Sequence, residues 1–104
     1  MRPDLPEAHN NLGAALSRLG MYRQAFEHFA EAVRLNPNYA KAHNNLGLEL
    51  MRQGKIDEAI GHFQEALRLG PDMAEAAENL RRAQAQRGVP QGGGTAVQSA
   101  PSGG

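Results

Sequence analysis

Residues 43–47 read His43-Asn44-Asn45-Leu46-Gly47, and the same five residues occur 34 positions earlier, at 9–13. The match extends well beyond this stretch. Residues 6–39 align with residues 40–73 without a gap, and 17 of the 34 positions are identical. Pro3, Pro37 and Pro71 keep the same spacing. A period of this length is typical of helical arrays, in which each unit buries its apolar face against a neighbour.

The composition excludes several classes of function. The 104 residues include 11 basic and 11 acidic residues, so the formal net charge is zero and neither nucleic acid nor a membrane is expected as a partner. The chain has no cysteine, which excludes disulfides and thiol catalysis. No apolar run approaches the roughly 18–20 residues that span a bilayer, and residues 1–6 lack a signal-peptide core. The compartment stays open, with the cytoplasm as the default.

Apolar residues at helical spacing predict an all-α chain of about five helices. Gly20 and Gly54 interrupt the pattern, and the second helix turns Ala25, Phe29 and Ala32 inward. No alternating β-branched run is present that would predict a strand. The predicted helices span about 6–20, 22–35, 38–53, 56–69 and 72–87.

These residues resemble the tetratricopeptide repeat, a 34-residue helix–turn–helix unit. The family pattern has a large residue, Leu-Gly three residues later, a second large residue, an Ala, an aromatic residue and a closing Pro. The first unit carries His9, Leu12, Gly13, Leu16, Ala25, Phe29 and Pro37, and the second carries His43, Leu46, Gly47, Leu50, Ala59, Phe63 and Pro71. His replaces the usual opening Trp, and Leu replaces the usual Tyr. The resemblance implies a domain over residues 1–88, built as a right-handed superhelix of antiparallel helix pairs with repeats at 6–39 and 40–73.

The glycines and the third unit add detail to this expectation. Gly13 and Gly47 each cost about 1 kcal/mol inside a helix relative to Ala, so we expect a partner helix to pass too close there for a Cβ. Small residues of that helix, such as Ala25 and Ala59, would supply the surface. The third unit has Arg81 at the glycine position, which predicts that residues 72–87 form a capping helix. Residues 89–104 are rich in Gly, Ser and Pro and are predicted to be a disordered tail.

The first helix carries an apolar stripe that no preceding unit in this chain would cover. Its members are Ala8, Leu12, Ala15 and Leu19. Two alternatives follow: the chain is the C-terminal end of a longer array, or it self-associates as a possible homo-oligomer through this edge. Two and a half repeats are near the lower limit for a stable array, which favours both alternatives over an isolated unit.

In this architecture the first helix of each unit lines a concave groove, which is the predicted binding surface. Asn11, Asn45 and Asn79 recur once per period although Asn is a poor helix residue. A row of amides can bind the backbone of an extended peptide, and Arg18, Arg52 and Arg82 would favour acidic residues in it. The groove of the O-linked N-acetylglucosamine transferases is similar. The alternative is that the amides bond the repeats to each other. The predicted groove residues are Asn10, Asn11, Ala14, Arg18, Asn44, Asn45, Leu48, Met51, Arg52, Asn79 and Arg82.

Other chemistry is weakly indicated. Some members of the family hold a terminal carboxylate with a clamp of Lys, Asn and Arg, but Asn10 and Asn44 stand here in place of the early lysine. His9, His28, His43 and His62 are two pairs one period apart and are explained by duplication rather than by a metal site. No catalytic residues and no cofactor are predicted, because Ser17 has no base at a suitable spacing.

The sequence therefore predicts a module that binds a protein or peptide partner in its concave groove, and not an enzyme. Two alternatives remain open. The module could act through self-association, or it could be the docking array of a larger enzyme such as a glycosyltransferase.

Overall fold

The computed structural model describes residues 5–88, and these residues form five α-helices and no strand. The helices are α1 (Pro6–Arg18), α2 (Tyr22–Leu35), α3 (Ala40–Arg52), α4 (Ile56–Leu69) and α5 (Ala74–Arg87). The predicted all-α class and helix order are confirmed. The tail predicted for residues 89–104 lies outside the described residues, as does Pro3.

In each repeat, one glycine with a positive φ forms the turn between the two helices. Gly20 and Gly54 have φ values of +81° and +82°, a left-handed conformation that costs glycine little and other residues much more. Because the backbone reverses at these residues, α1 ends at Arg18 and α3 at Arg52, slightly earlier than the sequence predicted. Each turn then feeds directly into the second helix of its repeat.

The turn between repeats uses more residues than the sequence suggested. The amide of Tyr39 donates to the carbonyl oxygen of Asn36 at 3.1 Å, and the amide of Met73 donates to that of Gly70 at 3.0 Å. The two residues after each proline, at 38–39 and 72–73, therefore belong to the turn and not to the next helix. As a result α3 begins at Ala40 and α5 at Ala74, two residues later than predicted.

Neighbouring helices pack in chain order. Helix α1 packs on α2 and α3 on α4, which forms the two repeats, while α2 packs on α3 and α4 on α5, which joins them into one array. Buried residues from both repeats and from α5 make a single apolar core. Its members are Ala25, Phe29, Leu46, Leu50, Ala59, Ile60, Phe63 and Ala83.

The helix pair in each repeat closes on a contact between a glycine and a phenylalanine. A Cβ added at Gly13 would lie 2.6 Å from Cε1 of Phe29, and one added at Gly47 would lie 2.6 Å from Cε1 of Phe63. The predicted close approach is therefore confirmed. The prediction was wrong about the partner, because a phenylalanine ring fills this space and not the alanine surface around Ala25.

Helix α5 has one apolar face and one polar face. Ala76 and Ala83 are fully buried against the second repeat, and Leu80 is half-buried. Arg81 and Gln84 are exposed on the other side. The polar residues of α5 thus lie where a further helix of an array would otherwise pack.

We expect Gly47→Ala and Gly61→Ala to change stability in opposite directions. Phe63 is fully buried and cannot give way, so the added methyl of Gly47→Ala overpacks the core and costs about 1–3 kcal/mol in the free energy of unfolding. Gly61 is exposed in α4, and a Cβ there would meet nothing within 4 Å, so Gly61→Ala should stabilise by about 0.5–1 kcal/mol. Urea denaturation followed by circular dichroism measures both. A Gly47→Ala protein as stable as the parent would contradict the assigned contact.

Candidate functional site

The asparagines of the predicted groove form hydrogen bonds between repeats. Nδ2 of Asn45 donates to Oδ1 of Asn10 at 2.9 Å, and Nδ2 of Asn79 donates to Oδ1 of Asn44 at 2.9 Å. Both bonds join the first helix of one unit to the first helix of the next. Asn44 is only 1% exposed, and Asn10 and Asn79 are also buried. These three amides therefore belong to the scaffold, and their prediction as open peptide ligands is corrected.

The remaining groove residues are accessible to different degrees. Asn11 is exposed, while Asn45 and Ala14 are half-buried. Three arginines, Arg18, Arg52 and Arg82, are exposed. Nη1 of Arg82 lies 3.5 Å from Oδ1 of Asn79, which leaves most of its donors for another molecule. We call the surface that these residues share the groove face.

A shallow pocket of about 230 Å³ lies on the groove face between α3 and α5. Four of its residues, Leu48, Met51, Arg52 and Arg82, were predicted as groove residues, and Gln86 completes the lining. The pocket combines half-buried apolar side chains with two exposed guanidinium groups. An arrangement of this kind can accept an apolar side chain next to a carboxylate.

A second polar cluster lies where α1, α2 and α3 meet, and it was not among the predicted sites. Glu49 of α3 is only 2% exposed. Oγ of Ser17 donates to its Oε2 at 3.0 Å, and Nε of Arg52 lies 3.3 Å from its Oε1. The Arg52 guanidinium also lies over the ring of Tyr22, 4.2 Å from the ring centroid. One feature of the sequence points to it: Glu49 stands one period after Ala15, in a stripe of α3 that is expected to be buried.

Beside this cluster lies the larger pocket, of about 470 Å³. We call it the junction pocket, and it is lined by Tyr22, Arg23, Phe26, Glu27, Glu49, Arg52 and Gln53. Arg52 lines both this pocket and the smaller one on the groove face. The two pockets are therefore adjacent.

The four histidines pair within each repeat. Nδ1 of His9 lies 3.0 Å from Nδ1 of His28, and the two Nδ1 atoms of His43 and His62 are also 3.0 Å apart. Nε2 of His43 donates to the carbonyl oxygen of Pro37 at 2.7 Å, so its Nδ1 is the acceptor and His62 is the donor. Burial lowers the pKa of His62, and the neighbouring His43 lowers it further, which favours the neutral form of His62.

No group of three or more His, Asp or Glu side chains within residues 5–88 is arranged to hold a metal ion. The same residues contain no helix long and apolar enough to cross a membrane.

The apolar edge of α1 is open in the structure. Leu12 is 46% exposed and Leu19 is 74% exposed, whereas Leu46, which occupies the position of Leu12 in the second repeat, is 5% exposed. Ala8 is exposed and Ala15 is half-buried. The difference arises because α2 covers the corresponding face of α3, whereas no described helix covers this face of α1, which packs on α2 with another side.

A sequence model of the tetratricopeptide repeat family matches residues 10–74, which is more than half of the chain. The chain belongs to the tetratricopeptide repeat family. Arrays of this fold are protein–protein interaction modules that bind partners on extended concave surfaces. Comparison with curated protein sequences gave no match.

Solved structures of tetratricopeptide repeat proteins are similar to the chain. One is the first such domain of Spaghetti (RPAP3) bound to the HSP90 peptide SRMEEVD, with a TM-score of 0.77 and 29% identity; the match covers 82% of this chain and 68% of that one. A crystal structure of MamA has a TM-score of 0.77 and 26% identity, over 84% of this chain and 51% of MamA. Another MamA structure gives 0.76 and 27%, over 82% and 46%. The chain thus spans about half the length of the MamA chains.

The assignment of the asparagines to the scaffold predicts that Asn44→Ala destabilises the protein. The substitution leaves the buried Nδ2 of Asn79 without its acceptor, which should cost about 1–3 kcal/mol in the free energy of unfolding. Asn11→Ala, at an exposed position of the preceding repeat, is the matched control and should change stability by less than about 0.5 kcal/mol. Urea denaturation measures both. Equal stabilities for the two variants would show that the buried hydrogen bond between Asn79 and Asn44 does not contribute to the stability of the fold.

Proposed function

We propose that this module binds an extended acidic segment of a partner protein along the groove face. The observation that carries the proposal is the pocket between α3 and α5, where Leu48 and Met51 lie beside the exposed guanidinium groups of Arg52 and Arg82. Arg18 extends the row of positive charge to the first repeat. The similar domain of RPAP3, which is bound to a peptide with acidic residues, supports this proposal.

Charge and burial favour an acidic guest over a basic one. Guanidinium groups bind carboxylates through paired N–H donors, and none of the three arginines is enclosed by protein. The buried asparagines cannot hold the backbone of the guest, since their amides are bonded to each other. Binding should therefore depend on side chains and on salt concentration. If the module is the docking array of a larger enzyme, the catalytic residues of that enzyme would lie outside this module.

The groove face can be tested with a library of extended seven-residue peptides that includes SRMEEVD and its analogue SRMQQVN, in which side-chain amides replace the three side-chain carboxylates. We expect the acidic members to bind best and to weaken as salt is raised, because exposed charges are screened. Arg82→Glu should weaken acidic peptides by about threefold to tenfold, as expected for reversing one charge at an exposed ion pair. Fluorescence anisotropy with labelled peptides measures the affinities.

Arg81→Glu is the matched control. Arg81 is adjacent in sequence and exposed, but it forms an ion pair with Glu78 on the other side of α5 and should not affect the peptides. Failure of every library member to bind would contradict the proposed function. So would equal losses for the Arg81 and Arg82 variants.

A second candidate function is self-association through the edge of α1. Within residues 5–88, five large apolar side chains are exposed, and four of them belong to α1 or to the residues next to its ends: Leu5, Leu12, Leu19 and Met21. The outer face of α5 is polar at Arg81 and Gln84, so head-to-tail stacking of copies is disfavoured and a two-fold contact between two α1 helices is favoured. In an antiparallel pair, Glu7 of each copy would lie near Arg18 of the other.

We expect Ala15→Glu with Leu19→Glu to convert such a dimer to a monomer, because the paired faces would carry four new carboxylates. Sedimentation equilibrium over a concentration series of the full chain measures the mass. Arg81→Glu again serves as a control that changes charge far from this edge. A parent chain that stays monomeric at all concentrations would exclude this candidate, and a dimer unaffected by the substitutions would place the contact elsewhere.

A further inference from the structure

The first junction between repeats differs from the second at four positions that lie together. Ser17, Tyr22, Glu49 and Arg52 form the cluster beside the junction pocket. One period later these positions hold Met51, Ile56, Ala83 and Gln86. None of the four residues is retained: Ser17 and Tyr22 differ from their equivalents in the second repeat, and Glu49 and Arg52 differ from theirs in α5. The second junction therefore lacks this cluster entirely.

The buried carboxylate is the costly member of this unit. A carboxylate taken out of water loses several kcal/mol of solvation unless its acceptor sites are filled. Ser17 fills one site of Oε2, but Oε1 receives no hydrogen bond of acceptable geometry, although Arg52 lies 3.3 Å away. Alanine serves the packing role at Ala15 and Ala83, the equivalent positions of the other units. Packing alone therefore does not explain Glu49.

The junction pocket has the shape and the walls for an aromatic guest. Its volume of about 470 Å³ is ample for a two-ring side chain, and Tyr22 and Phe26 supply aromatic surface. Two acidic and two basic side chains line it: Glu27, Glu49, Arg23 and Arg52. Because these charges balance, a neutral guest that donates one hydrogen bond fits better than a lysine or a carboxylate.

We infer that the junction pocket receives the indole side chain of a tryptophan from the bound partner segment. Indole has an N–H donor and no acceptor, which complements a carboxylate oxygen, whereas a phenol would also bring its own lone pairs. Tryptophan is also the aromatic side chain that attracts a guanidinium most strongly. None of the 104 residues is a tryptophan, so none of them can supply the guest.

Arg52 is the side chain that has to move when the guest enters. It now covers Oε1 of Glu49, and its own side chain is about half exposed. When the guanidinium shifts from the Tyr22 ring onto the indole ring, a cation–π contact is kept and the indole N–H takes the place beside Oε1. Arg52 also lines the pocket on the groove face, so a segment bound there passes the entrance. The inference rests on the proposed function, and it adds the chemistry of one anchoring residue.

The test uses small probes and the full chain. Indole and 1-methylindole have nearly the same shape, but only indole donates a hydrogen bond. We expect indole to shift the amide NMR signals of Tyr22, Phe26 and Glu49 and to bind at least about threefold more tightly than 1-methylindole. Glu49→Ala should reduce indole to the affinity of 1-methylindole and leave 1-methylindole unchanged. Tyr22→Ile, which copies the second junction, should weaken both probes.

The controls separate a local effect from loss of the fold. Circular dichroism checks that each variant stays helical, and the comparison of the two probes needs no variant at all. A separate pocket of about 260 Å³ at the second junction is lined by Gly54, Ile56, Asp57 and Arg87, and Arg87→Ala there should leave both affinities unchanged. Equal binding of indole and 1-methylindole, tighter binding of p-cresol or butylammonium, or shifts centred on Leu48 and Met51 would overturn the inference. If acidic peptides bind but indole does not, the inference about the junction pocket is wrong and the proposed function of the groove face is unaffected. If indole binds but no peptide does, the proposed function is wrong and the indole site of the junction pocket is supported.

Discussion

The contact between a helical glycine and a buried phenylalanine ring is the constraint on which this array depends. At Gly47 the ring of Phe63 occupies the space that any other residue would need for its Cβ. The same geometry recurs at Gly13 and Phe29. It fixes how closely the two helices of a repeat approach each other. The helix propensity lost at each glycine is the cost of this approach.

The second constraint links the repeats rather than the helices within them. Each hydrogen bond between asparagine side chains joins the first helix of one unit to the first helix of the next. These bonds satisfy polar groups that would otherwise be buried without partners. The same three helices form the groove face. A ligand there therefore binds a surface whose curvature is held by internal hydrogen bonds, and the surface needs little rearrangement before it binds.

The sequence predicted the fold well because the repeat period, the glycines and the prolines each have a single structural reading. It predicted the groove less well, and the asparagines show why. Asn44 and Asn45 are neighbours in sequence, but successive residues of a helix are rotated by about 100° about its axis. This rotation buries Asn44 and leaves Asn45 half-buried. Both hydrogen bonds span 35 residues, one more than the period, so each joins two asparagines that are not equivalent: Asn10 and Asn44 accept, and Asn45 and Asn79 donate. A helix stripe predicts which face is turned inward, but not which amide of an adjacent pair is enclosed by the next unit.

Differences between the two repeats are more informative about binding than their identities. The positions that repeat unchanged, such as Phe29 and Phe63, are explained by packing, because each repeat must solve the same steric problem. The cluster around Glu49 solves no such problem, since the second junction packs with Ala83 in its place. A buried charge is kept against its solvation cost only if it brings a compensating benefit. The inferred indole site offers one such benefit, because Glu49 lines the same pocket as Tyr22 and Phe26 and its Oε1 receives no hydrogen bond.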